Sequence, residues 1–344
     1  MERRRRFLDY GENPWVDDHI PDQTAAGIMS RSMAVGGLAL HWGGTTPRFS
    51  PEDFRTKSMY GVGTDWPVSY DELDPFYQEA EERIGVAGEQ GPPELDPRSR
   101  PYPMAAMPLS YSLQLFRAWG EKAGIPFWTN PVAKNTRPYR GRSVCARCDT
   151  CSICPTGAKY SPDFTFNALL EQNRIELITR TLVRRLIPSE AGDRIDHARA
   201  VDRDRPDEPV ELRARIFVLA AGYTWSPHLL LLSTSSRFPA GLANRSGLVG
   251  KYMTGHRPVN AYIELPARLY PGVSQQHSLL SKRFMRPGPL AKYVRHDLRI
   301  WESTVGREPR LRDGTGRILL GDGLLDDWRA RTERGTARMR AYYD

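Results

Sequence analysis

The sequence has no long apolar run, although hydrophobic residues make up 40% of its 344 positions. A helix that crosses a bilayer needs about 20 consecutive apolar residues, and the nearest candidate, Ile216–Ala221, has only the length of a strand. The run of arginines after Glu2 is not followed by the apolar stretch that a secretion signal requires. We therefore expect a chain without a membrane span or signal peptide, and a cytoplasmic location.

The sequence also lacks the marks of a nucleic-acid-binding protein. Its 49 Lys and Arg against 41 Asp and Glu give a net charge of +8, which is typical of a solvated basic surface and compatible with acidic partners. No zinc-finger or RNA-binding signature accompanies this charge. A charged fraction of 26% is ordinary for a globular protein, so we predict a folded chain that does not bind nucleic acid.

A further absence is the G-x-G-x-x-G turn, which in dinucleotide-binding proteins places the pyrophosphate on a helix N-terminus. Two short glycine pairs, at 61–63 and 314–316, come closest. Each has a large side chain, Trp66 or Leu319, where the third glycine should stand. We expect the pyrophosphate turn to lie outside this chain.

Local patterns predict secondary structure in several places. Ser69 and Glu72 form a capping-box pattern that predicts a helix to about Arg83, where Pro75 would kink the helix or separate its first turn. Pro227 is typical of a helix's first turn. Other predicted helices cover 112–123 and 164–173, and predicted strands cover 175–178, 181–186, 211–221, 259–265 and 293–302.

Glycines are concentrated between residues 36 and 44, where His41 and Trp42 separate two glycine pairs. Such a loop lets the backbone approach a flat or anionic group closely. On composition alone it is equally typical of a cofactor loop and of an ordinary turn with a packed tryptophan.

The Gly-Gly-x-x-x-His-Trp pattern resembles the flavin-contacting loop of the glucose–methanol–choline (GMC) oxidoreductases. The branch of that family with pyranose 2-oxidase and bacterial FAD-dependent sugar dehydrogenases is the most similar. In pyranose 2-oxidase the histidine is bonded to the flavin, and His41 occupies the matching position. Gly43 stands where that oxidase has threonine, so a hydroxyl near the flavin N5 is missing and a dehydrogenase is favoured.

Further segments carry the same resemblance over the central part of the chain. Asp65–Leu73 resembles the family's helix entry, 242–251 resembles the loop before its substrate domain, and 181–183 and 220–230 resemble two FAD-domain segments. The resemblance implies these FAD-binding residues: Gly36, Gly37, His41, Trp42, Gly43, Gly44, Thr45, Val183, Ala221, Gly222 and Ser226.

All four cysteines of the chain lie within ten residues, at Cys145, Cys148, Cys151 and Cys154, and Pro155 follows. Repeated x2 spacings before a proline are similar to bacterial ferredoxin ligation, although ferredoxins have x3 before the last cysteine. Structural zinc sites usually pair two knuckles across a longer gap. An iron–sulfur cluster, zinc, and disulfides or free thiols all remain open, with the four cysteines as candidate metal ligands.

The ending of this cysteine segment, Cys-Pro-x-Gly-Ala-Lys-Tyr, is similar to loops that hold an iron–sulfur cluster in FAD-dependent glucose dehydrogenases. A cluster would carry electrons singly away from a two-electron flavin. That role also favours a dehydrogenase over an oxidase.

No histidine is nominated as catalytic, because each of the others is more typical of a surface or packed residue than of a base. The GMC family places its histidine base in a C-terminal segment that this chain does not match. The remaining histidines are His19, His197, His228, His256, His277 and His296.

The resemblance implies an α/β fold: an incomplete FAD-binding Rossmann-like domain over 1–254, with a cysteine-rich loop at 135–165, and a partial α+β substrate domain over 255–344. It implies an FAD-dependent oxidoreductase that acts on the CH–OH group of a sugar or alcohol. We expect an electron-transfer subunit or a complementary fragment as partner. The alternative is a truncated or split-gene chain without activity of its own.

Overall fold

The structure of the protein is a computed structural model. The strand predicted at 259–265 lies outside the residues that it describes. The described residues are 35–148, 151, 154–202, 204–253, 255, 278–286 and 295–301.

The chain divides into two compact units. One contains the described residues of 1–171 and 262–329, and the other contains those of 172–261 and 330–344. Both units mix helices with β-structure, as an α/β protein requires. The domain boundary expected at residue 254 stays a prediction.

The first unit combines helices with short strands. Strands β1 (Ala87–Gly88) and β2 (Met104–Ala105) pair in parallel. Strand β3 (Trp128–Thr129) lies at the edge of an antiparallel sheet, next to β7 (Ser278–Phe284), which pairs in turn with β8 (His296–Trp301). The 3₁₀ helices of this unit are Gly37–Leu40 and Pro51–Arg55, and its α-helices are α1 (Thr56–Tyr60), α2 (Tyr70–Ile84), α3 (Tyr111–Lys122) and α4 (Pro162–Glu171).

The capping box predicted for α2 is confirmed. The Ser69 hydroxyl accepts a bond from the Glu72 amide at 3.2 Å, and the Glu72 carboxylate accepts one from the Ser69 amide at 2.7 Å. These bonds satisfy amide groups that have no partner within the helix. Pro75 lies inside one continuous helix. The predicted helices at 112–123 and 164–173 and the strand at 293–302 are confirmed by α3, α4 and β8, with bounds shifted by a few residues.

A buried ion network fixes the chain after the glycine-rich loop to α2. Arg48 Nε lies 2.8 Å from Glu81 Oε1, and its Nη2 lies 3.0 Å from Glu81 Oε2. Arg48 also pairs with Asp74, and Arg98 donates to Glu81 at 2.5 Å. Because Arg48 and Glu81 are both buried, each charge depends on the other for compensation.

The second unit contains a helix and an antiparallel sheet whose three strands pair in the order in which they follow one another along the chain. Leu186 of the sheet forms a core cluster with Ala198 and Leu242, and Leu229 and Leu230 of the helix pack against it. The elements are β4 (Thr181–Pro188), which confirms the predicted strand at 181–186, β5 (Ile195–Asp202), β6 (Arg205–Leu212) and α5 (Gly222–Leu232).

Two strand predictions in this unit are wrong. Residues 175–178 have no regular structure, and of the strand predicted at 211–221 only the first two residues belong to β6. Phe217 packs on the core cluster, whereas the exposed fractions of Ile216 and Val218 are 79% and 84%. The segment alternates as a strand would, but no described strand lies beside it to bond its amide groups.

The predicted start of the last helix is also wrong. α5 begins at Gly222, so Pro227 lies inside the helix and not in its first turn. The Ser226 hydroxyl accepts a bond from the Ala221 amide at 3.1 Å, which satisfies a group at the helix start. Proline at this position removes one intrahelical bond, and packing of the leucines that follow offsets that loss.

We expect Arg48→Met to lower the free energy of unfolding by about 3–5 kcal/mol, because it leaves buried carboxylates without a counter-charge. Arg83→Met is the control: it removes an exposed pair with Glu79 and should cost no more than about 0.5 kcal/mol. Urea denaturation of both variants measures the difference. Equal midpoints would contradict the stabilising role of the buried network.

Candidate functional site

The glycine-rich loop uses glycine where its backbone is left-handed. The φ angles are 110° at Gly36, 57° at Gly37 and 82° at Gly44, values that other residues adopt only with strain. The Gly44 carbonyl accepts a bond from the Ala133 amide at 2.6 Å. At Thr45 the loop pairs with Val132 as an isolated bridge, so its C-terminal end is held by main-chain bonds.

The two aromatic residues of the loop have different surroundings. Trp42 packs against the core cluster that contains Tyr102, and its indole Nε1 donates to the Tyr160 carbonyl at 2.8 Å. His41 is half-buried, and its amide donates to the Leu38 carbonyl at 3.0 Å. The tryptophan therefore anchors the loop, while the histidine is held by the backbone of a short 3₁₀ turn.

Lys159 joins this loop to the cysteine segment. Its ammonium donates to the carbonyl oxygens of Leu40 at 2.9 Å and Trp42 at 2.7 Å. Its backbone amide lies 3.5 Å from Cys154 Sγ and donates to it. Lys159 is only 1% exposed. It therefore links the glycine-rich loop and the cysteine segment through hydrogen bonds that are shielded from solvent.

A second buried lysine lies beside the first. Lys134 pairs with Lys159 across an isolated antiparallel bridge and is likewise only 1% exposed. A carbon atom placed on Gly44 would lie 3.4 Å from Lys159 Cγ and 3.6 Å from Lys134 Cε. The stems of both lysines thus flank the same glycine of the loop.

Among the described residues, no disulfide joins any of the four cysteines. Cys154 is buried, Cys145 and Cys151 are partly buried, and Cys148 is exposed. The Cys145 amide donates to the Asn135 carbonyl at 2.9 Å, so the segment begins beside Lys134 and ends beside Lys159.

The thiols differ in acidity. Burial disfavours the thiolate of Cys154, but hydrogen bonds from the Lys159 amide and from Thr156 outweigh it and lower the pKa of Cys154 below its ordinary value. Burial raises the pKa of Cys145 and Cys151, and the positive charge of Lys134 opposes that rise at both. Cys154 is therefore the best prepared of these three for binding a metal as thiolate.

Within the described ranges, no three Cys, His, Asp or Glu side chains stand together as a ready ligand set. All four cysteines lie within those ranges. The metal site at Cys145, Cys148, Cys151 and Cys154 stays a prediction.

The remaining predicted cofactor residues lie in the second unit. Val183 on β4 packs against the core cluster of that unit. Ala221 and Ser226 share the bond at the start of α5, and Gly222 has a φ of 82° with nothing within 4 Å of an added carbon atom. The structure thus brings Ala221, Gly222 and Ser226 together at one helix end.

Sequence reasoning missed the two buried lysines. Lysine is usually exposed, and the composition of the chain does not indicate that Lys134 and Lys159 are buried. Lys159 belongs to the Cys154–Tyr160 motif, so the sequence did mark it as a residue of a candidate site. Lys134 has no comparable signal. In the part of the chain that the structure describes, no helix is long and apolar enough to cross a membrane.

Several characterised proteins are similar to this chain, and three of them follow. The fructose dehydrogenase large subunit of Gluconobacter japonicus is 38% identical over 69% of this chain and 43% of its own length. The 6'''-hydroxyparomomycin C oxidase of Streptomyces lividus is 32% identical over 72% of this chain and 44% of its length. The 2-methyl-1,2-propanediol dehydrogenase of Mycolicibacterium austroafricanum is 34% identical over 64% of this chain and 40% of its length.

The chain therefore spans less than half the length of each of these relatives. The family model described as GMC oxidoreductase matches residues 62–257. That match covers more than half of the chain, and it includes the cysteine segment, Lys159, Val183 and the start of α5. The chain belongs to the GMC oxidoreductase family.

Proposed function

We propose that the protein is an FAD-dependent oxidoreductase that oxidises the CH–OH group of a sugar or alcohol, and that it works as a dehydrogenase. Family membership supports FAD as the cofactor. Of the three relatives described above, two are named as dehydrogenases, one of fructose and one of 2-methyl-1,2-propanediol, and the third is named as an oxidase. Both names describe oxidation at a carbon that carries a hydroxyl group.

The observation that carries the proposal is the glycine-rich loop, held by Lys159 beside the cysteine segment. The loop suits a flavin, because no described group accepts a hydrogen bond from the amides of Gly43 and Gly44. Nothing lies within 4 Å of a carbon atom added at Gly37. Amide donors without side-chain bulk are what an isoalloxazine or a pyrophosphate would contact.

The proposed fold places these residues in an incomplete FAD-binding Rossmann-like domain over 1–254. Val183, Ala221, Gly222 and Ser226 are proposed as further FAD-binding residues. Residues 255–344 would form part of an α+β substrate domain. The family match to residues 62–257 supports the first assignment.

FAD, when bound, supplies a hydride acceptor for the substrate carbon. The role proposed for His41 is to position the flavin or to hold it covalently, while Trp42 fixes the loop through its bond to Tyr160. Deprotonation of the substrate hydroxyl needs a base, and no described histidine is assigned to it.

The cysteine segment is proposed to hold an iron–sulfur cluster that passes electrons on. The hydrogen bonds that lower the pKa of Cys154 support metal binding there. A cluster fits a dehydrogenase, which delivers electrons to an acceptor other than oxygen. Since one relative is named a large subunit, an electron-transfer subunit is the proposed partner.

A second candidate is a split-gene chain that needs a complementary fragment before it is active. The exposure of Ile216 and Val218 on an extended segment supports it, because an additional strand could pair there.

We expect the purified protein to be yellow and its flavin to stay in the pellet after acid precipitation, because His41 would bond it covalently. His41→Ala should release the flavin into the supernatant. The visible spectra of pellet and supernatant give the measurement, and His228→Ala, at an exposed histidine, is the control.

A colourless wild-type protein would contradict flavin binding and favour the split-gene reading. Flavin in the wild-type supernatant would contradict the covalent bond alone. Reduction of a dye acceptor with fructose or 2-methyl-1,2-propanediol then tests the dehydrogenase activity directly.

We expect Lys159→Met to lower the free energy of unfolding by about 2–4 kcal/mol, since two buried carbonyl oxygens lose their donor. The glycine-rich loop should also become less ordered when these two hydrogen bonds are lost, so the flavin content of the purified protein should fall. Lys57→Met, at an exposed lysine, should change neither. Urea denaturation and the ratio of flavin to protein measure both effects, and an unchanged ratio in Lys159→Met would show that the loop does not hold the cofactor.

A further inference from the structure

The Lys159 ammonium binds the carbonyl oxygens on both sides of His41. Its Nζ donates to the Leu40 carbonyl at 2.9 Å and to the Trp42 carbonyl at 2.7 Å. Because the lysine is buried, the loss of either bond would leave polar groups without a partner and cost free energy. The peptide units Leu40–His41 and Trp42–Gly43 are therefore fixed with their oxygens directed at the same ammonium.

The direction of each carbonyl also sets the direction of the amide that follows it. The described part of the chain has no cis peptide bond, and in a planar trans peptide the C=O and N–H groups point in opposite directions. The amides of His41 and Gly43 therefore point away from the Lys159 ammonium. The His41 amide donates to the Leu38 carbonyl at 3.0 Å, whereas no described group accepts a hydrogen bond from the Gly43 amide. Gly43 is only partly buried, so its amide is accessible to a bound molecule.

The charge of Lys159 also makes the Gly43 amide a stronger donor. A cation on a carbonyl oxygen withdraws electron density from the whole peptide unit, and hydrogen bonds in such a chain polarise one another. Burial of the ammonium keeps water from screening this effect. The Gly43 amide is thus a fixed and polarised donor that points out of the glycine-rich loop.

We propose that Lys159 is a positioning residue that acts through the Trp42–Gly43 peptide and aims the Gly43 amide at the isoalloxazine ring of FAD. The inference rests on the proposed function, since it requires that FAD binds at this loop. The ring carries nitrogen and oxygen acceptors, and an amide without a side chain beside it approaches a flat ring closely. Lys159 itself stays behind the loop and does not touch the cofactor.

The test compares variants at Gly43 in a His41→Ala background, so that a covalent bond cannot mask a loss of affinity. Gly43→Pro removes the amide hydrogen, and Gly43→Ala keeps it. Gly43 does not have a positive φ, so alanine meets no left-handed strain there. The apoproteins are titrated with FAD and followed by flavin fluorescence. We expect about tenfold weaker binding in Gly43→Pro, which is about the value of one hydrogen bond, and unchanged binding in Gly43→Ala.

A double-variant cycle then connects Lys159 to this amide. Lys159→Met should weaken FAD binding as Gly43→Pro does. The double variant should bind no more weakly than either single variant, because both changes act on the same donor. The visible absorption bands of the bound flavin should shift in these variants, since they respond to contacts with the ring. Lys122→Met, at an exposed lysine, is the matched control and should change neither affinity nor spectrum.

The outcomes separate this inference from the proposed function. Additive losses in the double variant overturn the role of Lys159. Equal affinities of Gly43→Ala and Gly43→Pro overturn the donor itself, and this comparison decides the matter if Lys159→Met does not fold. Weaker binding with unshifted bands overturns the contact with the ring in favour of the pyrophosphate. A flavin that binds the wild type but no chain with His41→Ala overturns the inference alone, whereas a wild type that neither carries nor binds flavin overturns the proposed function as well.

Discussion

Two hydrogen bonds from the buried Lys159 ammonium, to the carbonyl oxygens of Leu40 and Trp42, hold the glycine-rich loop in its place. A loop with four glycines has much conformational freedom to lose, so it needs strong anchors to keep one shape. The Trp42 indole and the main-chain bond from Ala133 to Gly44 supply the others. Because Lys159 also donates to Cys154, the position of the cysteine segment depends on the same residue.

Buried charged side chains surround the glycine-rich loop. Arg48 with Glu81 fixes the chain just after the loop, and Lys134 with Lys159 lies beneath it. Buried charges of this kind add little net stability, but each tolerates only a narrow geometry. Rigid support of this kind is what a cofactor loop requires if its amide groups are to meet a ligand without rearranging.

Sequence reasoning succeeded where the determining contacts are local. The Ser69–Glu72 capping box gave the start of α2, because both partners lie within one turn. It failed at 211–221, where alternation indicates a strand but the pairing depends on a neighbour distant in sequence. Composition and spacing singled out the loop and the cysteines, and the family resemblance gave them expected roles, which stay predictions. Nothing in the sequence alone showed that Lys134 is buried, because that depends on how 131–135 packs against the loop and on a bridge to Lys159.

Gly44 lies between the stems of both buried lysines, and this has an evolutionary consequence. Any side chain there would strain the backbone, and its first carbon atom would contact the stems of both Lys134 and Lys159. Substitutions at the three positions should therefore be epistatic, with double variants departing from the sum of the single effects. Over evolutionary time the glycine-rich loop and the cysteine segment would therefore vary together, and a relative with different residues at 134 and 159 would be free to vary at Gly44 as well.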